Sequence, residues 1–160
     1  MKKTAAFILG LCLIAAAAFA AQPKTDKTAD EKSAAGKIVA DFLKSMDEKK
    51  YDAAFAQLDF EMLIKDQSKT DISKLKPKDR ERQIKTYQEM IKGIFENEKK
   101  QTKFRNFSQG AFKKTGDTAT LDIVNTPPKG TPGKPTVKTF KLILKNKTWK
   151  IFGFAQQPAK

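Results

Sequence analysis

The side chains that could move protons in this 160-residue chain are carboxylates, phenols and amines, because it holds no histidine and its one cysteine, Cys12, lies in the apolar N-terminal run. That inventory excludes Ser-His-Asp and Cys-His nucleophiles, zinc hydrolase sites of the ordinary kind and a histidine pH switch. General acid–base work would fall to an Asp and a Tyr. Asp41, Asp52 and Asp59 stand on or beside the polar faces of helical segments, where a solvated carboxylate is the plain role. Asp122 shares a strand face with Thr118 and Thr120, away from Ala119, Leu121 and Ile123. Tyr87 belongs to an apolar helical stripe, which suits a core tyrosine with its hydroxyl at the rim, and Tyr51 reads the same way. No spacing pairs either phenol with an acid, so no catalytic centre is specified. Gly130 and Gly133 lie between prolines without opening a helix, so no phosphate-cradling loop is implied. Asn106-Phe107-Ser108 and Asn146-Lys147-Thr148 match a glycosylation acceptor, a pattern frequent by chance.

Charge is the second chemical signal. The chain carries +14, and its distribution is uneven. Residues 21–98 hold 16 basic and 16 acidic side chains, whereas residues 99–160 hold 14 basic ones against Asp117 and Asp122 alone. Such asymmetry points to an anionic partner. Lys141, Lys145 and Lys150 form the candidate basic face. Lysine predominates over arginine there, which suits diffuse attraction to an anionic envelope surface better than bidentate recognition of bases, so nucleic acid is not expected. The competing expectation is a homodimer through the sheet, with these lysines at its rim.

The elements that must position these residues follow from periodicity. MKKTAAFILGLCLIAAAAFA pairs two lysines with an apolar run and ends in Ala18-Phe19-Ala20, the pattern of a cleavable secretory signal. Residues 1–20 are therefore expected to be removed near Ala20, leaving an exported chain, periplasmic or secreted. The apolar run continues past Cys12, and Leu9-Gly10-Leu11 precedes it, which disfavours lipidation. Residues 21–33 are polar and read as a flexible linker, with Thr28 and Glu31 spaced as a capping box. The domain is expected over 34–154, with 155–160 as a polar tail.

Ala35, Ile38, Val39, Phe42 and Met46 recur at spacings of three and four, the mark of a buried helical stripe. Tyr51, Ala54, Phe55 and Leu58 predict a short second helix, and Phe60 to Ile64 a short helix or turn. Pro77 opens a third main helix whose stripe is Ile84, Tyr87, Ile91, Ile94 and Phe95. From Gln101 the period becomes two. A first strand is predicted over Thr102–Lys114 with a bulge near Gln109-Gly110, and Thr115-Gly116-Asp117 turns into a second strand. Pro127 to Pro135 holds four prolines and reads as a stiff protruding loop. With Asn146-Lys147 as a two-residue turn, Lys145 faces Thr148, Leu144 faces Trp149 and Leu142 faces Ile151. Phe140, Leu142, Leu144, Trp149 and Ile151 then share an apolar face, and Lys141, Ile143, Lys145, Lys150, Phe152 and Phe154 the opposite one.

Helices followed by a bent, mostly antiparallel sheet, with the helices segregated to one face, make an α+β domain; the resemblance given next implies that they pack on the concave face of the sheet as a cone-shaped, cystatin-like roll. FLKSMDEKKYDAAFAQLD, GDTATLDI and FKLILKNKTWKIFGF together resemble the nuclear-transport-factor-2-like superfamily, particularly its small exported members. The resemblance implies a cone-shaped cavity for a small apolar ligand, lined here by Phe42, Met46, Phe55, Tyr87, Ile91, Leu121, Leu142 and Trp149. It implies no cofactor and no metal, and its motifs carry no catalytic residue. A non-catalytic binding or interaction domain is thus expected. The alternatives are a cofactor-free isomerase, dehydratase or hydrolase using an Asp and Tyr87 in the cone, and a structural dimerising module of the cell envelope.

Overall fold

The computed structural model describes residues 27–101, 107–126 and 135–158. The expected signal peptide, most of the proline-rich loop and the start of the predicted first strand lie outside the described residues. So does the first half of the expected linker. Among the described residues no helix is long and apolar enough to cross a membrane.

Helix α1 spans Lys27–Asp47 and buries Ala35, Val39, Phe42, Leu43 and Met46 along one side, as the spacing of three and four requires. It begins inside the expected linker. Glu31, near its start, forms an ion pair with Lys114 of the sheet, which gives these polar first turns a partner that local periodicity does not reveal. The chain leaves α1 through Lys49 in the left-handed conformation and enters α2 (Tyr51–Phe55) and α3 (Phe60–Ser68). The Asp59 carboxylate accepts a hydrogen bond from Met62 N at 3.0 Å, capping α3. A single 3-10 turn at Ile72–Lys74 leads to α4, Pro77–Gln101.

Four antiparallel strands follow in the order β1 (Phe107–Thr115), β2 (Thr118–Asn125), β3 (Thr136–Lys145) and β4 (Thr148–Pro158). The molecule is therefore an α+β fold with helices preceding a curved sheet. The last hairpin adopts the expected register, with Lys145 opposite Thr148, Leu144 opposite Trp149 and Leu142 opposite Ile151. Its turn residues Asn146 and Lys147 both have positive φ, 50° and 63°, the geometry of a turn that matches strand twist. The β1–β2 register shifts between Gln109 and Phe112, at the expected bulge.

A second bulge, on β4 at Phe152-Gly153, corrects the assignment of faces. The extra residue reverses the alternation, so Phe154 pairs with Phe140 and joins the inner face instead of the lysine face. There its ring lies 6.2 Å from Phe42 and 5.3 Å from Phe95, centroid to centroid. Strand β4 also runs to Pro158, so the expected polar tail is strand for most of its length.

The inner face carries Ala119, Leu121 and Ile123 of β2, Phe140 and Leu142 of β3, and Trp149 and Ile151 of β4, all buried with α1 residues in one core. The free edge of β4 is covered. Ile151 donates to Gln57 O at 2.9 Å and accepts from Asp59 N at 2.8 Å, a parallel bridge that adds residues 57–59 beside the sheet. No such cover is present over β1 among the described residues, where Gly110 and Phe112 are half-buried and the other residues exposed.

Candidate functional site

The middle of the inner face is solid. Phe42, Ile91, Leu121 and Leu142 are fully enclosed and Trp149 nearly so, while Phe55 and Tyr87 are half-buried against the same core. Phe42 meets Phe95 edge-on at 5.3 Å and Phe140 at 6.3 Å, so aromatic rings occupy the space a central cone would need. Of the eight residues expected to line a cavity, Met46 alone lines the cleft that is open.

That cleft lies at one end of the sheet and has a volume of about 320 Å³. Ala40, Leu43 and Met46 of α1 form one wall, Phe95 of α4 a second, and Phe107, Gln109 and Ile123 the floor. Lys44 and Asp47 stand at its mouth. Gly36 of α1 faces β1, where a Cβ would lie 2.0 Å from the amide nitrogen at the end of the flexible Gln109 side chain. The missing side chain lets the Gln109 carboxamide rest against the helix backbone. Small residues at 36 and 40 inside an otherwise bulky stripe were the available sequence signal for this opening. Phe95 was visible as a stripe residue, but Phe107 and Gln109 gave no sign of facing a cleft.

Along the inner face, polarity rises toward this end. Gln109, Ile123 and Lys138 stand in one cross-strand row, and Phe107, Asn125 and Thr136 in the next. Lys138 is only 8% exposed, and its ammonium sits 4.5 Å from the Phe95 ring centroid and 5.9 Å from that of Phe154. Cation–π attraction offsets part of the cost of desolvating it. Asn125 is also 8% exposed, and its side-chain oxygen accepts no hydrogen bond among the described residues. At the opposite end of the face Lys114, Ala119, Leu142 and Ile151 form one row, the lysine paired with Glu31 of α1, and Phe112 meets Trp149 edge-on.

The three lysines of the candidate basic face share the outer side of the hairpin, and each is engaged by the α2–α3 segment. Lys141 pairs with Asp66 at 2.8 Å, Lys145 pairs with Asp59, and Lys150 donates to Ala56 O at 2.6 Å. Asp59, read from sequence as a solvated acid, is instead both helix cap and ion-pair partner. Asp122 accepts from Thr139 Oγ1 at 2.7 Å on the outer face. Among the described residues no group of His, Cys, Asp and Glu is placed to hold a metal ion.

Neither phenol stands beside a buried acid. No hydrogen bond joins Tyr87 to a carboxylate among the described residues. Tyr51 does donate to Glu96 Oε1, at 2.6 Å, with Lys92 5.0 Å from its ring centroid, but this contact is exposed and ties α2 to α4. The hydrogen bond to the Glu96 carboxylate raises the Tyr51 phenol above its ordinary value. Lys50 beside Glu48 lowers that carboxyl, and the Ser73 hydroxyl and amide lower Asp71, both on open surface. No family model and no curated protein matches the chain.

Proposed function

We propose that this chain is an exported, non-catalytic binding domain of the nuclear-transport-factor-2-like kind, which takes a small, largely apolar ligand in the cleft between α1, α4 and the β1–β2 end of the sheet. The observation that carries this reading is the cleft: about 320 Å³, walled by Leu43, Met46, Phe95, Phe107 and Ile123, with a few polar groups at its rim. Ligand sites commonly combine a mostly apolar lining with a small number of orienting polar groups, and this volume lies at the low end of their range. The catalytic alternative is less well supported, since it needs Tyr87 beside a buried carboxylate and no hydrogen bond makes that pair among the described residues. An anionic envelope surface or a second copy at the outer sheet face rests on the charge count alone, because Lys141, Lys145 and Lys150 each have a partner within the fold.

Native mass spectrometry of the protein incubated with a lipid extract tests the reading. A bound species is expected in the parent protein and its loss in Ala40→Trp, where an indole would enter the cleft from an exposed helix position. A parent protein that stays ligand-free, or an Ala40→Trp protein that binds equally, overturns it.

A further inference from the structure

We propose that the cleft is the side-chain pocket of a longer site, in which an extended peptide with alternating apolar and acidic side chains pairs with the edge of β1. The inference rests on the binding reading above and names the class of ligand: an apolar group borne on a peptide.

The two edges of the sheet differ. Residues 57–59 hydrogen-bond to β4 and close its edge, whereas among the described residues no segment pairs with the far edge of β1. In an antiparallel ladder alternate residues aim N–H and C=O away from the neighbouring strand, so β1 presents donors and acceptors in the arrangement that a further strand uses. The cleft reaches this edge. Phe107, Ser108 and Gln109 all line it, although consecutive side chains of a strand point to opposite faces. A cavity bounded by all three runs along the strand's backbone as well as its inner face, so its occupant lies beside main-chain groups.

The alternation of β1 sets that of its partner. Gln109 approaches Gly36 of α1, Phe112 meets Trp149 and Lys114 pairs with Glu31, which places these residues and Phe107 on the inner face. Lys113 stands on the outer face in a row with Thr120 and Lys141, is exposed, and makes no ion pair among the described residues. The sequence from Lys99 to Gly116 holds six basic residues and no acid. Inward side chains of an added strand therefore meet Phe107 and the apolar cleft, and outward ones meet Lys113, which favours carboxylates. A second copy of β1 is a poorer occupant, because it would set another Lys113 on the same outer face.

The probe is an acetylated, amidated nonapeptide of alternating valine and glutamate, with binding read by titration calorimetry and the contact by hydrogen exchange. One control replaces glutamate by lysine, and a second carries N-methyl groups on its central amides. The parent protein is expected to bind the acidic peptide about tenfold more tightly than either, the worth of one or two main-chain hydrogen bonds, with exchange slowed over Phe107–Thr115. Lys113→Gln should weaken binding about fivefold, as the loss of one exposed charge pair allows, and Ala40→Trp should weaken it by filling the cleft. Lys147→Gln, the same change of charge at the other hairpin, should leave it unaltered. Equal binding of the N-methylated peptide, or an equal loss in Lys147→Gln, identifies diffuse attraction and overturns the proposal. Slowed exchange in β1 that rises with protein concentration and needs no peptide makes a second copy the occupant and overturns it too. A protein that takes up a component of a lipid extract but no peptide sinks this proposal alone; one that takes up neither sinks the cleft reading with it.

Discussion

The two ends of the inner sheet face are built to opposite specifications. At the hairpin end, Leu142, Trp149 and Ile151 are buried, and β4 is bridged to residues 57–59. At the other end, Ile123 and Phe107 floor an open cleft and the buried neighbours are an asparagine and a lysine. One end is filled with side chains, and the other leaves an open cleft beside buried polar neighbours. The contrast separates residues that a stability measurement should detect from those that a binding measurement should detect.

The largest expected effect lies in the sealed region. Phe42→Ala should cost about 3–5 kcal/mol in chemical unfolding, since it removes a ring contacting Phe95, Phe140 and Phe154 from a filled interior. Met46→Ala, on the cleft wall, should cost about 2 kcal/mol, near the low end for such truncations, because space already exists beside it. Equal losses at the two positions would break the comparison.

Asp59→Ala comes next. It removes the α3 cap and the Lys145 partner together, and a loss of about 1–2 kcal/mol is expected. Native-state hydrogen exchange should place the added opening in α3 and β4 and leave β1 unchanged. Opening that spreads evenly through the sheet would mean that the edge cover is not a separate seal.

Lys147→Gly sharpens the picture in the other direction. Lys147 is held at φ 63°, where a side chain is disfavoured, so glycine should stabilise the hairpin by about 0.5–1 kcal/mol, read as a higher denaturant midpoint. Ligand affinity at the distant cleft should not change.

The smallest effect concerns the exposed tie between α2 and α4. Because Glu96 raises the Tyr51 phenol in the folded state, the contribution of this contact is present below the unfolded phenol value of about 10 and is lost as pH rises through the folded value. Alkaline absorbance titration should show one tyrosine ionising late, and Glu96→Gln should return it to the ordinary range. A late phenol that persists in Glu96→Gln would reject the assignment.

Much of the architecture was legible because it rests on local period. The α1 stripe from Ala35 to Met46, the alternation of Ala119, Leu121 and Ile123, and the Asn146-Lys147 turn each declare a buried side within a few residues. What escaped depends on distant partners. The first turns of α1 look like linker until Glu31 meets Lys114, and Phe154 appears to face outward until the Phe152-Gly153 bulge shifts it. The cleft escaped for a related reason. A list of apolar stripe residues locates the core but not the place where the core stops, and that boundary is drawn by Gly36 against Gln109, from elements 73 residues apart. Asn125 could have been singled out as the polar residue ending an apolar alternation.

The bridge on Ile151 also bears on how the chain is made. Lys150 reaches back to Ala56 across 94 residues, and the adjoining backbone pairs join the same distant segments. Closing so long a loop is slow relative to helix formation. During synthesis, α2 and α3 leave the ribosome long before the strand that anchors them, so Leu63 and Ile64 stay uncovered until β4 follows.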